Sequence, residues 1–183
     1  MHRRKLLSLL DVYAHEHPEE VEETQRFINF VEQYERCFHN DFWAGHVTGS
    51  AWVVDPDRTR VLLTHHRKLG KWLQLGGHSD GDPDIVAVAT REAEEESGLS
   101  VECLSPEIFD LDIHEIPARK NDPAHFHFDV RFAFVARTDG FKVSSESNQL
   151  AWVPMTDLRQ FTEEESILRM QRKWLGLTAS TRL

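Results

Sequence analysis

Cysteine and long apolar runs are scarce in this 183-residue sequence, and each shortage excludes a class of protein. The 2 cysteines, Cys37 and Cys103, form no metal-binding or redox spacing and allow at most one disulfide, so we expect free thiols in a reducing compartment. No apolar stretch approaches the ~18 residues that a membrane span requires. Internal repeats and low-complexity linkers are also missing. The composition, 40% hydrophobic and 28% charged, is that of a globular domain with a sizeable core.

Positive charge is also in short supply, with 21 basic residues against 31 acidic ones and a formal net charge of −10. Such a chain is a poor match for nucleic acid or for an anionic membrane surface. The N-terminus carries basic residues before a short apolar run, but Asp11, His15 and Glu16 interrupt it and no small-residue cleavage site follows. The sequence therefore predicts a cytoplasmic protein, in which an anionic substrate would need a local basic patch and metal ions.

One stretch, residues 76–99, concentrates the chemistry: a glycine turn and an acidic loop precede a single predicted helix. Asp82 or Asp84 can cap the helix N-terminus, Pro83 is tolerated near the first turn, and Gly98 ends the helix. Apolar residues at i, i+4 and i+8 predict the buried stripe: Ile85, Ala89 and Ala93. Carboxylates at i, i+3 and i+4 share another face: Glu92, Glu95 and Glu96.

These three carboxylates destabilise the helix that carries them. Like charges at this spacing cost roughly 0.2–0.5 kcal/mol per pair, and Glu95 and Glu96 also lie near the negative end of the helix dipole. One interpretation is a solvated acidic face, because most charge runs are exposed. The other is a divalent-cation site, since hard cations bind several carboxylate oxygens and would cancel the repulsion.

The remaining periodicities predict an N-terminal helical arm, residues 1–40, ahead of one α/β domain, residues 41–176, and a loose tail, residues 177–183. The arm holds two helices, over residues 6–13 and 18–38, which can pack on their own domain or on a partner subunit. Strands are predicted over His46–Val54, residues 60–65, the region around Ser105 and Pro106, His125–Ala136 and residues 150–153. A helix start capped by Thr156 and a last helix over residues 163–174 follow. Together these elements predict an α/β/α sandwich around a mixed sheet.

A rare basic run leads into the glycine turn and includes His66, Lys68 and Lys71. It is either an ordinary solvated loop or a patch that binds a diphosphate.

The clearest strand, His125–Ala136, places His127 and Asp129 on one face together with His125. This face can be a polar wall of a substrate cleft, an exposed strand surface or a transition-metal site. We favour the wall, because the sequence indicates no further ligand nearby.

Seven residues of the central stretch fall at the spacing G-x13-R-E-x-x-E-E-x-G-(apolar), which resembles the Nudix box of the Nudix hydrolase family: Gly77, Arg91, Glu92, Glu95, Glu96, Gly98 and Leu99. The full box has a further glutamate where this chain has Pro83, although Asp82 and Asp84 flank that position. The resemblance covers residues 47–160 and implies the α/β/α sandwich. Within the family, the chain looks like a bacterial subgroup with a GGH-type loop that includes hydrolases of nucleoside diphosphate sugars.

The resemblance also implies roles for individual residues. Glu92, Glu95 and Glu96 match the family's metal-binding glutamates and would bind Mg²⁺ or Mn²⁺ beside the turn at Gly77, with Glu95 and Glu96 also catalytic. Arg91 matches the arginine that orients these glutamates by ion pairing. Glu146 lies in the loop where many members place another carboxylate, as metal ligand or general base, and is otherwise a surface residue. The predicted substrate contacts are His66, Lys68, Lys71, His78, His127 and Asp129.

The activity that the resemblance implies is hydrolysis of a nucleoside diphosphate linked to another moiety, expected to be a sugar, with release of a nucleoside monophosphate. Bound cations would neutralise the diphosphate while a carboxylate takes the proton of the attacking water. Two alternatives stay open: a house-cleaning nucleoside triphosphate pyrophosphohydrolase and a catalytically silent nucleotide-binding module. We also expect a homodimer, in which the arm of a second subunit can complete the pocket for a larger substrate.

Overall fold

The structure, a computed structural model, describes residues 2–119, 122–143 and 147–180. Its helices are α1 (Arg4–Glu16), α2 (Val21–Gln33), α3 (Ile85–Ser97), α4 (Leu158–Phe161) and α5 (Glu165–Ser180). Its strands are β1 (His46–Val54), β2 (Arg60–His66), β3 (Trp72–Leu73), β4 (Leu75–His78), β5 (Val101–Cys103), β6 (Asp110–Ile116), β7 (His125–Ala136) and β8 (Ser147–Pro154). None of the helices in these described ranges is long and apolar enough to cross a membrane.

The strands form one mixed sheet whose central pair, β1 and β7, is parallel, with His46 opposite His127 and Val54 opposite Val135. Antiparallel neighbours extend it: β2 and β4 pair with β1, β5 and β6 with β7, and β3 and β8 with β2. Because side chains alternate between the two faces of a strand, this register fixes which residues of different strands lie together.

Helices cover both faces of the sheet, which confirms the predicted α/β/α sandwich. On one face α3 buries its apolar stripe: Ile85, Val88, Ala89 and Ala93. On the opposite face the buried side chains of α5 are Ile167, Leu168, Met170 and Trp174. Successive residues of β1 pack into opposite layers. Val53 belongs to the apolar cluster on the α3 side, and Trp52 belongs to the cluster on the α5 side.

The N-terminal helices pack on the chain's own sheet, on the side that α3 covers. Phe30 of α2 stacks on Phe128 of β7 with ring centroids 3.7 Å apart, and Phe27 meets the same ring edge-on at 5.3 Å. Leu6 and Leu10 of α1 are buried in the same apolar cluster. The apolar stripes of both helices therefore contribute to the core of this chain.

The second helix is shorter than predicted, and its predicted extension to Phe38 was wrong. Tyr34, directly after Gln33, has extended backbone angles (φ −116°, ψ 114°). The Val47 N–H donates to the Cys37 carbonyl at 2.7 Å, so the chain after α2 folds back to begin β1. The sequence keeps an apolar residue at helical spacing as far as Phe38, because the Phe38 side chain is buried although it lies outside the helix.

Three other boundaries differ from the sequence prediction. No strand forms at Ser105 and Pro106, where proline lacks the N–H that a sheet ladder needs, and β5 and β6 lie on either side of this bend. Thr156 lies inside a 3₁₀ turn, Met155–Asp157, and donates to Asp157 at 3.1 Å instead of capping a helix. Helix α5 continues through Ser180, past residue 177, where the tail was expected to begin.

Candidate active site

Helix α3 begins as the acidic loop predicts. The Asp84 carboxylate accepts from the Ala87 N–H at 3.4 Å, and Asp82 accepts from the Asp84 N–H at 2.9 Å. Lys5 of α1 donates to Asp84 at 2.7 Å. Pro83 therefore lies just before the capping residue, between two carboxylates that both serve to form the helix start. Gly98 ends the helix with a positive φ of 66°.

Gly76 and Gly77, which the sequence predicted as a turn, lie within strand β4 and pair with Ser50 and Gly49 of β1, so the predicted turn was wrong. Glu92 and Glu96 of α3 face this strand. Glu96 is 9% exposed, and its carboxylate accepts a hydrogen bond from the Gly76 N–H at 2.9 Å. Glu92 packs so closely on Gly77 that a Cβ at this position would overlap the Glu92 carboxylate. Glu95 lies on the same helix and is exposed. The missing side chain at Gly77 thus leaves room for the Glu92 carboxylate, whereas that at Gly76 allows β4 to approach Ser50 and Gly49 of β1.

Arg91 connects this helix to the strand. Its Nη2 donates to the Glu92 carboxylate at 2.8 Å and to the His78 carbonyl at 3.0 Å. One guanidinium therefore orients a glutamate and the end of β4 together, as the resemblance implied for an arginine at this position.

The carboxylate set fits a hard divalent cation. Glu92, Glu95 and Glu96 supply only oxygen donors, which Mg²⁺ and Mn²⁺ prefer. The space that a Cβ of Gly77 would fill is taken by the Glu92 carboxylate, so the strand leaves room for charged oxygens beside its backbone. A bound cation would also relieve the repulsion among three carboxylates at helical spacing.

On the sheet face turned away from α3, Asp129 is the centre of a buried hydrogen-bond network. Thr48 and Ser50 of β1 each donate to its Oδ1 at 2.8 Å, and Gln74 donates to its Oδ2 at 3.1 Å. Arg131 donates to the same Oδ2 at 2.7 Å. Asp129 was predicted to contact substrate. It is 2% exposed, and both of its carboxylate oxygens accept hydrogen bonds from neighbouring side chains.

Further along this face, Arg131 lies in a buried charge network that links β6, β7 and α5. It pairs with Asp110 at 3.0 Å, and Asp110 also accepts from Arg169 at 2.8 Å and from Lys173 at 2.7 Å. Burial alone would raise the pKa of Asp110. The Arg169 hydrogen bonds and the charges of Arg131 and Lys173 outweigh this effect and lower that pKa. The network therefore keeps Asp110 ionised.

Five imidazoles lie together at the end of the same face, and we refer to His46, His78, His114, His125 and His127 as the histidine cluster. The ring centroids of His46 and His127 are 4.7 Å apart, and those of His46 and His125 are 4.9 Å apart. Burial lowers the pKa of His46 to about 4, repulsion from His78 and His125 adds to this shift, and the Phe42 backbone opposes it. At neutral pH His46 is therefore an uncharged imidazole.

The predicted basic patch lies on the turn between β2 and β3. Lys71 forms an ion pair with Glu164, in the segment before α5, at 2.6 Å. Lys68 is exposed, and the His66 ring accepts from the Leu69 N–H at 3.3 Å within the same turn. Glu146 lies outside the described residues.

Sequence reasoning did not identify His46, His114, Thr48, Ser50 or Gln74 as partners of β7. A signal is present in hindsight, since polar residues alternate in β1 and β6 with the same period of two as in β7. The alternation does not reveal that β1 pairs with β7 in parallel, which is what brings these side chains together.

A two-sided α/β sandwich in which one helix directs two carboxylates at a glycine-containing strand is typical of a class of metal-dependent hydrolase. The NUDIX domain profile matches residues 45–174, and the chain belongs to this family. It is a Nudix hydrolase that acts on phosphoric anhydride bonds. Nudix hydrolases act on small nucleotide substrates and generally use divalent ions such as Mg²⁺ or Mn²⁺.

Solved structures with the same fold include several other Nudix proteins. A NUDIX-family hydrolase from Clostridium perfringens is 25% identical, with a TM-score of 0.53 over 72% of this chain and 97% of its own. An Ap4A hydrolase from C. elegans is 15% identical, with a TM-score of 0.54 over 73% of this chain and 98% of its own. The MutT protein from Methanosarcina mazei Go1 is 15% identical, with a TM-score of 0.54 over 75% and 97%. No curated protein sequence matches the chain.

Proposed function

We propose that this enzyme hydrolyses a nucleoside diphosphate linked to another moiety, a sugar in the first instance, and releases a nucleoside monophosphate. The observation that carries the proposal is the contact of Glu96 with the Gly76 N–H at 2.9 Å, together with the packing of Glu92 on Gly77. It places two acidic side chains beside the glycine-containing strand β4. A diphosphate needs such a site, because its own negative oxygens repel an attacking water.

In this proposal Glu92, Glu95 and Glu96 hold Mg²⁺ or Mn²⁺ beside Gly77. The bound ions supply charge neutralisation of the diphosphate and acidification of the attacking water. Arg91 is a positioning residue, since it fixes the Glu92 carboxylate and the end of β4.

The general base is a carboxylate that accepts the proton of the water, and the sequence resemblance implies Glu146 for this role. The water oxygen forms a bond to phosphorus while the bond from that phosphorus to the bridging oxygen breaks. The bridging oxygen leaves with the other phosphate.

The sugar moiety is proposed from the sequence resemblance and not from the buried network around Asp129. Thr48 and Ser50 are buried there and donate their hydroxyl protons to Asp129, so they offer a substrate no free donor. His78 and His127 lie at the end of the same face of the sheet, and Lys68, Lys71 and His66 remain proposed contacts for the charged phosphates.

The test is Mg²⁺-dependent release of nucleoside monophosphate from nucleoside diphosphate sugars, ADP-ribose, dinucleoside polyphosphates and nucleoside triphosphates. We expect turnover of a diphosphate-linked compound and a loss of about 10³-fold in kcat in Glu96→Gln, which corresponds to about 4 kcal/mol. Glu94→Gln is the matched control, because Glu94 is an exposed residue of the same helix whose carboxylate accepts from the Val101 N–H at 3.3 Å.

The alternatives give different results in the same panel. Turnover confined to nucleoside triphosphates would identify a pyrophosphohydrolase and overturn the sugar proposal. Binding of a nucleotide without cleavage would identify a silent binding module. Equal activity of the Glu96→Gln and Glu94→Gln variants would overturn the assignment of the catalytic helix.

The homodimer and the cytoplasmic location remain proposals that rest on the sequence. Because α1 and α2 pack on the chain's own core, a dimer contact through them would use their outer sides, where Val12 is 43% exposed and Val21 46% exposed. Light scattering coupled to size-exclusion chromatography tests this state directly, and a single species at the 21.3 kDa monomer mass would overturn it.

A further inference from the structure

Three side chains of the histidine cluster have no joint role in the proposed hydrolysis. The nearest ring nitrogens of His46, His125 and His127 all lie within 4.8 Å of one another. We infer that these three imidazoles form a second metal site, for a transition cation of the Zn²⁺ class, with His78 and His114 beside it. The inference is independent of the substrate proposed above.

His46 provides the first argument. The residue is 1% exposed, and neither ring nitrogen forms a hydrogen bond of normal geometry with any of the residues that the structure describes. A buried polar group without a partner costs on the order of 1–3 kcal/mol, and native proteins rarely leave one in this state. A cation that accepts the lone pair of one His46 nitrogen would remove much of this cost.

A backbone carbonyl orients the His125 ring from behind. The Nδ1 of His125 lies 2.8 Å from the Pro123 carbonyl, which can only accept, so Nδ1 carries the proton and Nε2 keeps its lone pair. Metal-binding histidines almost always have a carbonyl or carboxylate partner of this kind, and His125 is the proposed ligand for which the structure shows one. His114, which lies beside the three rings, has its Nδ1 2.9 Å from the Asp112 carboxylate.

The geometry needs only a small adjustment. A tetrahedral Zn²⁺ with bonds of about 2.0–2.1 Å holds its ligand nitrogens about 3.4 Å apart. Side-chain rotations would have to bring the nitrogens up to about 1.4 Å closer to one another to reach this spacing. The parallel register fixes the two strands that carry them, since His46 of β1 lies opposite His127 of β7.

This site differs from the carboxylate site in donor type and in place. Imidazole nitrogens select Zn²⁺ and similar transition ions, whereas the glutamates of α3 supply the oxygens that Mg²⁺ prefers. Successive residues of β4 point to opposite faces of the sheet, so Gly77 lies on the α3 side and His78 on the side of the histidine cluster. In this view His127 contacts a cation and not the substrate directly.

The experiment uses the full chain with any tag removed, stripped of metal by chelator dialysis and titrated with Co²⁺ and Zn²⁺. We expect one equivalent of Co²⁺ to give a visible d–d spectrum of a nitrogen-coordinated ion, and Zn²⁺ to displace it. His127→Gln and His125→Gln should lower the Zn²⁺ affinity by more than about 100-fold, beyond the 10- to 100-fold effect of losing an outer partner.

Two control variants separate this site from its rivals. His17→Gln removes the ring next to Glu19 and Glu20, a further described group whose donor atoms lie within 4.8 Å of one another, and Glu96→Gln alters the carboxylate site. Neither control should change the Co²⁺ spectrum. Zn²⁺ should also raise the melting temperature of the wild type and of both controls, but not that of the cluster variants.

A wild-type protein without the d–d spectrum would overturn the inference. So would a Zn²⁺ affinity that stays the same in His125→Gln and His127→Gln while circular dichroism shows both variants folded. If one of these variants does not fold, the other decides the result. In either overturning case the histidines return to the polar wall of the substrate cleft.

Discussion

The two faces of β4 present two kinds of polar site that are built in different ways. On one face, a single helix directs Glu92 and Glu96 at Gly76 and Gly77 of the strand that precedes it in the chain. On the other face, β1, β6 and β7 bring distant residues into a buried row that ends in the histidine cluster. The first site depends on the close approach of the β4 backbone to the α3 carboxylates. The second depends on the register of the strands and on ion pairs between buried acidic and basic side chains.

The comparison explains the contrasting burial of the two sites. The carboxylate site is partly open to solvent, as a site for a charged diphosphate must be, and Glu95 is exposed. The polar face holds Asp110, Asp129 and Arg131 at 2% exposure or less. Buried charges of this kind persist only when each has several partners, so substitutions in the second region should affect folding more than substitutions in the first.

The largest effect on stability should come from Asp110→Asn. Removing one partner of a buried ion pair costs about 3–5 kcal/mol, because Arg131, Arg169 and Lys173 keep their charges. Guanidinium unfolding at pH 7 measures the change, with Asp11→Asn on the exposed side of α1 as the control.

This effect should depend on pH in a defined direction. The folded state lowers the pKa of Asp110, so the carboxylate contributes its full stability above the ordinary aspartate value of about 3.9 and loses it as the pH falls through the folded pKa. The difference between wild type and Asp110→Asn should therefore shrink at pH 3. An equal difference at both pH values would contradict the ionised network.

Gly77→Ala should change stability less than Asp110→Asn does and should act mainly on activity. The new Cβ would meet only the end of the flexible Glu92 side chain, so the free energy of unfolding should change by less than about 1 kcal/mol. Displacement of the Glu92 carboxylate should nevertheless lower kcat about tenfold, or about 1.4 kcal/mol. Gly140→Ala, where a Cβ meets nothing within 4 Å, is the control for both measurements. A stable variant with full activity would show that Glu92 does not serve the reaction.

The smallest effect should come from Lys71→Gln. Its ion pair with Glu164 is exposed, and such pairs contribute up to about 1 kcal/mol. As a proposed phosphate contact on the surface, Lys71 should change KM by less than about tenfold and leave kcat unchanged. Steady-state kinetics with Lys142→Gln as the control check this, and a large loss of kcat would move Lys71 into the reaction itself.

The carboxylate helix was predictable from the sequence because its parts are contiguous. Asp84, Glu92, Glu96 and Gly98 all lie within residues 76–99, and capping and helical spacing determine their arrangement locally. The sandwich fold followed from periodicity for the same reason. The end of α2 was mispredicted, because Phe38 continues the apolar pattern although the chain already turns toward β1 at Tyr34.

The histidine cluster was only half predictable. The strand His125–Ala136 showed that His125 and His127 share a face, but the sequence did not indicate that His46 and His114 lie beside them. These residues come from strands separated by dozens of positions in the sequence, and only the parallel pairing of β1 with β7 and the antiparallel pairing of β6 with β7 bring them together. Local patterns do not encode which strands become neighbours.

Binding of Mn²⁺ to the wild type, Glu96→Gln and His127→Gln, followed by electron paramagnetic resonance, tests most directly whether the α3 carboxylates hold the divalent cation. The account predicts that Glu96→Gln loses Mn²⁺ affinity by more than tenfold while His127→Gln binds Mn²⁺ as the wild type does. Equal Mn²⁺ binding by wild type and Glu96→Gln, or a loss confined to His127→Gln, would contradict it.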